Sequence, residues 1–164
     1  MWKNSILQRD RVGRSFSKNT RWGSKIIELK QEELCIFTDG ASRGNPGPSG
    51  AAALIYDNKN ILIDKISKFL GKSTNNVAEY SALLLALQRS VDLGAKRVKI
   101  VTDSQLMARQ WIGLYKVKNL SIKRLFQEAK QFAEKLEDVQ VIHVNRTENI
   151  EADKLVNEVI DQNV

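Results

Sequence analysis

Residues 37–50, FTDGASRGNPGPSG, contain the turn on which the fold of this chain depends. The apolar segment Leu34–Thr38 runs directly into Asp39-Gly40, which is typical of a β-strand that ends in a turn. Three glycines and two prolines within Ala41–Gly50 predict a tight, well-defined loop. The apolar segment Ala51–Tyr56 predicts a second strand, so we expect the chain to reverse direction here.

The segments downstream alternate between strand and helix patterns. A turn at 57–60 and the alternating segment Ile61–Leu70 predict a third strand and an antiparallel meander. Thr74 or Asn75 is a suitable N-cap for a long amphipathic helix that Gly94 ends. The remaining predicted elements are a strand at Val98–Thr102, helices at Ser104–Ile112 and Leu120–Leu136, a strand at Val139–Val144 and a helix at Ile150–Ile160. This order predicts an α/β domain with a mixed sheet and helices on its faces.

The basic residues are concentrated at the N-terminus. Residues 1–30 hold eight Lys/Arg and two Asp/Glu, a net charge of +6, whereas the other residues hold 18 and 17, a net charge of +1. Such a segment favours polyanionic partners through counterion release, although a solubilising tail would have the same composition. We interpret residues 1–33 as a basic N-terminal extension, with a short helix or turn at Ile26–Leu34. Its Trp2 and Trp22 are expected either to stack on bases or to pack on the body.

Composition excludes several classes of protein. Cys35 is the only cysteine, so neither an intramolecular disulfide nor a cysteine-based zinc cluster can form. No apolar run reaches the roughly 18–20 residues that a membrane span needs, and the N-terminus lacks the apolar region of a secretory signal. We therefore expect a cytoplasmic protein without a membrane partner, and a monomer.

Four acidic residues stand where the predicted elements would present them at one end of the sheet. Asp39 and Asp103 each follow an apolar strand directly, at the carboxyl ends where open α/β sheets form their sites. Glu79 lies one turn inside the first long helix, and Asp153 lies in the first turn of the last. Each alone has a simpler explanation, such as a turn, an N-cap or the helix dipole. Clustered carboxylates, however, need a cation to offset their repulsion, and their hard oxygens suit Mg²⁺ or Mn²⁺.

At these residues the chain resembles the type 1 ribonuclease H family, especially its compact archaeal and bacterial form. The resemblance extends from about Cys35 to Asp161. It rests on motifs at Phe37–Gly50, Thr74–Glu79, Thr102–Gln105 and Asn149–Leu155. It implies that residues 34–164 form a ribonuclease H-like catalytic domain, whose mixed five-stranded sheet has three antiparallel strands, then two parallel, with helices on both faces.

The resemblance also implies an endonuclease that cuts the RNA strand of RNA–DNA hybrids with two Mg²⁺ ions, for which Mn²⁺ can substitute. Such an enzyme leaves 5′-phosphate and 3′-hydroxyl ends. Asp39 would bridge both ions, and Asp153 would hold the ion that activates water. Glu79 and Asp103 would hold the ion on the leaving side.

Other motif residues match positions that contact nucleic acid. Those that match the RNA minor groove, where the 2′-hydroxyl distinguishes RNA from DNA, are Gly44, Asn45, Asn76 and Gln105. Thr74 matches a position near a phosphate of the DNA strand. Gly44 and Asn45 also suit a tight turn, so for them the structural explanation stays open.

The chain departs from the better-known bacterial enzymes in the loop before the last helix. Those enzymes carry a catalytic histidine there, but His143 falls in the apolar alternation Val141–Val144 and is predicted to lie in the strand. Compact forms place an arginine in this loop, and Arg146 fits that position, with a role in product release or phosphate contact. The long basic protrusion of those enzymes is missing, and only Trp111–Asn119 fills its interval. Residues 1–33 do not resemble the family's N-terminal hybrid-binding domain.

Two other functions compete with this interpretation. One is a DNA-directed nuclease or transposase-like enzyme of the same fold, which the Gly-Asn-Pro-Gly loop and the Asn75-Asn76 pair disfavour because they match hybrid readers. The other is a catalytically inactive hybrid-binding module. The retention of all four carboxylates disfavours it, because a binding module gains nothing from acids beside a phosphate.

Overall fold

The computed structural model describes residues 32–164 and, upstream, the backbone of three short strands: β1 (Trp2–Lys3), β2 (Ile6–Arg9) and β3 (Ser15–Ser17). These three strands pair antiparallel in the order β1-β2-β3. The helix or turn expected at Ile26–Leu34 lies largely outside the described residues. Its last two residues are instead the start of a strand.

A five-stranded mixed sheet forms the centre of the domain. Its strands are β4 (Glu33–Ser42), β5 (Gly47–Asp57), β6 (Leu62–Ser73), β7 (Arg97–Thr102) and β8 (Asp138–His143). The spatial order is β6-β5-β4-β7-β8. Strands β4, β5 and β6 are antiparallel, and β7 and β8 continue the sheet parallel to β4. The predicted fold class is therefore confirmed.

The loop predicted at Ala41–Gly50 is wrong in its extent. Strand β4 continues to Ser42 and β5 begins at Gly47, so four residues, 43–46, connect them. The ladder runs on to the pair Ser42↔Ser49, and Arg43 N donates to Pro48 O at 2.8 Å. A Cβ at Gly47 would lie 2.0 Å from the Arg43 carbonyl oxygen, so the close return of the chain requires glycine there. Cross-strand hydrogen bonds thus extend the strands into a segment whose composition favours a loop.

Four α-helices occur among the described residues: α1 (Asn75–Asp92), α2 (Gln105–Trp111), α3 (Leu120–Ala133) and α4 (Ile150–Asp161). Of the two N-cap candidates for α1, the structure selects Thr74, whose side chain accepts a hydrogen bond from Val77 N. Gly94, with φ +75°, follows the end of this helix as predicted. No described helix is long and apolar enough to cross a membrane.

Helices α1 and α4 cover opposite faces of the sheet. A Cβ on Gly40 of β4 would meet the backbone of α1, whereas a Cβ on Gly50 of β5 would meet side chains of α4. Gly40 pairs with Ala51, the neighbour of Gly50, and successive strand residues point to opposite faces. The main hydrophobic core lies on the α1 face, where fully buried residues include Ile36, Ile55, Leu83, Leu87 and Ile100.

Candidate active site

Three of the four predicted carboxylates meet at one edge of the sheet. Asp39 comes from β4, Glu79 from the first turns of α1, and Asp103 from the residue after β7. One carboxylate oxygen from each lies within 4.8 Å of those of the other two. Asp39 is only 5% exposed and Glu79 only 8% exposed, so their charges are largely removed from water. The parallel pairing of β4 with β7 produces this meeting, because it brings their carboxyl ends to the same edge.

Gly40 makes the approach of Glu79 possible. A Cβ at this position would lie 2.1 Å from the carbonyl carbon of Ala78, so any side chain would push α1 away from β4. The backbone amide of Gly40 also donates a short hydrogen bond to Glu79 Oε1. One glycine thus sets the distance between helix and strand and fixes one of the acidic side chains.

The acidic cluster strongly disfavours full ionisation when no cation is bound. Burial, followed by the charges of Glu79 and Asp103, raises the pKa of Asp39 to about 9. Burial also raises the pKa of Glu79 to about 7, against the opposing effect of the Gly40 amide. Such groups hold a proton near neutral pH unless a cation offsets their mutual repulsion. Three hard oxygen donors in this state suit a divalent cation such as Mg²⁺ or Mn²⁺.

Asp153, the fourth predicted carboxylate, lies in the first turn of α4 and is paired with an arginine. Arg146 Nη2 donates to Asp153 Oδ1 at 3.0 Å, from the short 3₁₀ segment Arg146–Glu148 that precedes the helix. This hydrogen bond, which the carboxylate of Asp153 accepts, raises the pKa of Arg146. The arginine side chain is 76% exposed, and exposed ion pairs contribute only about 0–1 kcal/mol. Arg146 can therefore leave Asp153 at little cost in free energy.

Asn149 connects the start of α4 to the strand that carries Asp39. It is 1% exposed, and its Nδ2 donates to the carbonyl oxygen of Thr38 at 2.8 Å. Its own carbonyl accepts from Asp153 N at 3.1 Å. Asn149 belongs to the motif Asn149–Leu155, but the sequence alone did not predict a role for it. The available signal was a carboxamide directly before a helix, where a polar side chain commonly bonds to nearby backbone.

The predicted substrate-binding residues surround the same edge. Asn75 holds one of them, Asn45, in place: the Oδ1 of Asn75 accepts from Ser42 N at 2.9 Å, and its backbone N donates to Asn45 Oδ1 at 3.1 Å. The connection between β4 and β5 is thereby held against the start of α1. Gly44, Asn45, Asn76 and Gln105 are all exposed, whereas Thr74 is half-buried as the N-cap of α1. Their contact with nucleic acid stays a prediction.

Arg43, which the sequence analysis did not single out, holds the β4–β5 connection from the other side. Its guanidinium forms a short ion pair with Asp161 and a hydrogen bond to Asn157 Oδ1 at 3.4 Å, both on α4. The connection is thus fixed between α1 and α4. This contact spans more than 110 positions of sequence, so no local pattern could have indicated it.

His143 occupies the position predicted from the alternation of apolar residues. It is the last residue of β8, is exposed, and pairs with Thr102 of β7. Arg146 lies three residues further on, between β8 and α4. The strand position of His143 and the loop position of Arg146 are therefore confirmed, while the role of each side chain stays a prediction.

Comparison with known proteins identifies a family model and several relatives that match most of this chain. A family model described as reverse transcriptase-like matches residues 37–159. A bifunctional protein of Mycobacterium tuberculosis is 36% identical over 131 residues, which cover 79% of this chain and 36% of that protein. Ribonuclease HI of Halobacterium salinarum is 34% identical over 125 residues, which cover 76% of this chain and 63% of that enzyme. The chain therefore spans between a third and two thirds of the length of these relatives.

Solved structures agree with these sequence matches. LC11 ribonuclease H1, determined in complex with an RNA/DNA hybrid, superposes with a TM-score of 0.75 at 38% identity. The superposition covers 79% of this chain and 97% of that one. The likeness thus extends over nearly the whole of that solved chain.

Proposed function

Since this chain belongs to the ribonuclease H family, we propose that it is an endonuclease that hydrolyses the RNA strand of RNA–DNA hybrids. The observation that carries the proposal is the meeting of Asp39, Glu79 and Asp103, with carboxylate oxygens within 4.8 Å of one another. A protein that buries two carboxyl groups and places a half-buried third beside them gains no stability from their mutual repulsion. Their expected use is to hold cations against a phosphodiester.

The donor set fits a pair of divalent cations. We expect Asp39, Glu79, Asp103 and Asp153 to hold two Mg²⁺ ions, with Asp39 between them. When bound, such ions lower the pKa of a coordinated water and neutralise charge on the reacting phosphate. The raised pKa values of Asp39 and Glu79 support this use, because a cation would displace the protons that the cluster otherwise retains.

The reaction changes two bonds at phosphorus. A water oxygen bonds to phosphorus and the bond to the 3′-oxygen breaks, so one product keeps a 3′-hydroxyl and the other carries the 5′-phosphate. The attacking water releases a proton to solvent, and the leaving 3′-oxygen takes one up. Arg146 donates a hydrogen bond to Asp153, and its guanidinium is exposed. It can therefore exchange this carboxylate for a phosphate of the substrate.

Recognition of RNA would come from the exposed groups around the cluster. Asn45 Oδ1 already accepts from Asn75 N, so its Nδ2 is left to donate to a ligand such as a 2′-hydroxyl oxygen. Asn76 and Gln105 add exposed carboxamides that can donate or accept. These groups can read a hydroxyl that DNA lacks, which supports an RNA strand as the one that is cut.

Cleavage of matched substrates tests the proposal. One sequence, prepared as RNA–DNA hybrid, duplex RNA, duplex DNA and single-stranded RNA, is incubated with the protein in Mg²⁺. We expect cutting of the RNA strand of the hybrid alone, with products that a 5′-phosphate-dependent exonuclease degrades. Cutting of duplex DNA would support the DNA-directed alternative. Binding of hybrid without cutting in Mg²⁺ or Mn²⁺ would support the inactive module.

A further inference from the structure

The last turn of α4 carries negative charge and has no basic residue of its own. Glu158 and Asp161 both lie in this turn. The carboxyl end of a helix already carries a partial negative charge, so acids there are unfavourable unless a cation lies close by. The guanidinium of Arg43 is such a cation, and it forms a short ion pair with Asp161. Since Arg43 belongs to the connection between β4 and β5, this ion pair joins the connection to the end of α4.

Arg43 also contacts α4 one turn nearer to the candidate active site. Its Nη2 donates to the Oδ1 and to the backbone carbonyl oxygen of Asn157, in both cases at 3.4 Å. The Nδ2 of Asn157 in turn donates to the carbonyl oxygen of Asp153 at 2.8 Å. These two residues are four positions apart, so they lie on the same face of the helix. Two successive hydrogen bonds therefore lead from Arg43 to the turn that carries Asp153.

A similar set of contacts holds the other side of the connection. The Oδ1 of Asn75 accepts from Ser42 N at 2.9 Å, and the backbone N of Asn75 donates to Asn45 Oδ1 at 3.1 Å. Glu79 follows Asn75 by four positions on α1. The connection is thus joined to two helices, and each contact lies one turn away from a carboxylate that we expect to hold a cation.

The residues that this connection carries are candidates for reading RNA. Gly44 and Asn45 follow Arg43 directly, and both are exposed. A group that binds a 2′-hydroxyl favours cleavage of RNA only if it stands at a fixed distance from the reacting phosphate. The contacts of Asn75 fix this distance on the Glu79 side, whereas those of Arg43 fix it on the Asp153 side.

We propose that Arg43 is a positioning residue that holds the RNA-reading connection at a fixed distance from Asp153 and so contributes to the preference for RNA. Without Arg43 the connection is held through Asn75 alone, and Asn45 can move relative to Asp153. The carboxylates keep their places, so the loss falls on recognition and not on the chemical step. This inference rests on the proposed cleavage of RNA–DNA hybrids.

Two substrates that differ in one hydroxyl group test the proposal. The first is a hybrid whose cut strand is DNA with a short central block of ribonucleotides, which confines cutting to that block. The second lacks the 2′-hydroxyl of one ribonucleotide beside the cut bond. We expect Arg43→Ala to raise KM for the first substrate about fivefold with kcat within about twofold, because ground-state recognition is lost. KM for the second substrate should change less than about twofold, since that substrate already lacks the hydroxyl that the connection would read.

Arg89→Ala is the matched control. Arg89 forms an ion pair with Asp64 at 2.6 Å, and its side chain is 40% exposed, as is that of Arg43. It lies ten residues beyond Glu79 on α1, about 15 Å along the helix, so its loss should leave both KM values unchanged. The melting temperature should fall by no more than about 4 °C in either variant, because exposed ion pairs contribute little to stability.

Reversal of the ion pair separates positioning from direct contact with the substrate. Arg43→Glu/Asp161→Arg restores opposite charges at the two positions, so it should return KM for the first substrate to within about twofold of the native value. A KM higher than that of Arg43→Ala would mean that Arg43 itself binds a phosphate, and would overturn the proposal. The affinities of the same variants for both substrates in a chelator, measured without cutting, should follow the same order.

The native chain supplies the remaining outcomes. If it prefers the first substrate and Arg43→Ala keeps that preference and the native KM, the connection does not need Arg43 and the proposal fails. Cleavage of both substrates with equal kcat/KM by the native chain would refute reading of this hydroxyl, and the role of Arg43 with it. Cleavage of neither substrate in Mg²⁺ or Mn²⁺ would refute the proposed function itself.

Discussion

Asp39 lies at the centre of the acidic cluster, 5% exposed and close to Glu79 and Asp103. We predict that Asp39→Asn reduces hybrid cleavage by roughly a hundredfold or more, because the cluster loses the ligand that we propose contacts both cations. The fold should persist, since the amide has the same shape and cannot ionise, so it adds no repulsive charge to the cluster. Cleavage assays in Mg²⁺ and Mn²⁺, with circular dichroism as the folding control, measure this. Normal activity in a folded variant would contradict the metal assignment.

The same residue predicts how the stability of the metal-free protein depends on pH. The pKa of Asp39 rises from its ordinary 3.8 to about 9 in the folded state, so between these values the folded protein holds a proton that the unfolded chain releases. The free energy of unfolding should therefore fall as pH rises through this window, with Glu79 acting in the same direction. Urea unfolding in a chelator at several pH values measures the effect. Asp39→Asn should show a weaker dependence, and identical slopes in both proteins would refute the electrostatic argument.

Arg146 and His143 are the two candidates for a residue that assists turnover. Arg146 contacts Asp153, whereas His143 ends β8 as an exposed strand residue paired with Thr102. We predict that Arg146→Ala lowers kcat several-fold through slower product release or lost phosphate contact, and that His143→Ala changes it less. Steady-state and single-turnover cleavage of the hybrid separate release from chemistry. A larger loss from His143→Ala would reverse the assignment.

Among the elements, α4 is joined to β4 by a buried hydrogen bond from Asn149 Nδ2 to the carbonyl oxygen of Thr38. We predict that Asn149→Ala costs about 1–3 kcal/mol of stability, because the buried carbonyl of Thr38 loses its donor. Cleavage should fall as well, since Asp153 lies in the first turn of this helix and would move with it. Asn163→Ala, which removes an exposed hydrogen bond to Val159 O at the other end of α4, is the matched control. Equal effects of the two substitutions on urea unfolding would show that Asn149 has no special role.

Features that depend on neighbouring residues could be predicted from the sequence, whereas features that depend on distant partners could not. Order and type of the strands and helices followed from periodicity and from caps such as Thr74, because these depend on neighbouring residues. The extent of β4 and β5 did not, since pairs such as Ser42↔Ser49 continue the ladder through a Gly- and Pro-rich segment. At the site, strand ends and the family resemblance identified the carboxylates. The contacts of Asn149 and Arg43 were missed, because their partners lie 111 or more positions away in the sequence.

At the scale of the whole molecule, most of the net charge and the candidate active-site residues lie in different parts of the chain. The N-terminal 30 residues carry +6 of the total charge of +7, whereas the clustered carboxylates all lie beyond residue 32. A charge of this size can attract a polyanion over a distance set by the ionic strength.

Deletion of residues 1–31 tests whether this charge contributes to substrate affinity. Loss of the charge should raise KM and flatten its salt dependence, by about 0.9 in slope for each phosphate contact removed. The value of kcat at saturating hybrid should change little, because Asp39, Glu79 and Asp103 remain in place. Arg9→Gln/Arg11→Gln/Arg14→Gln, which removes three of the six net charges and keeps the segment, should reproduce part of the change in KM. An unchanged KM at every salt concentration would rule out the electrostatic role, and a sharply lower melting temperature of the deletion variant would point to a structural role instead.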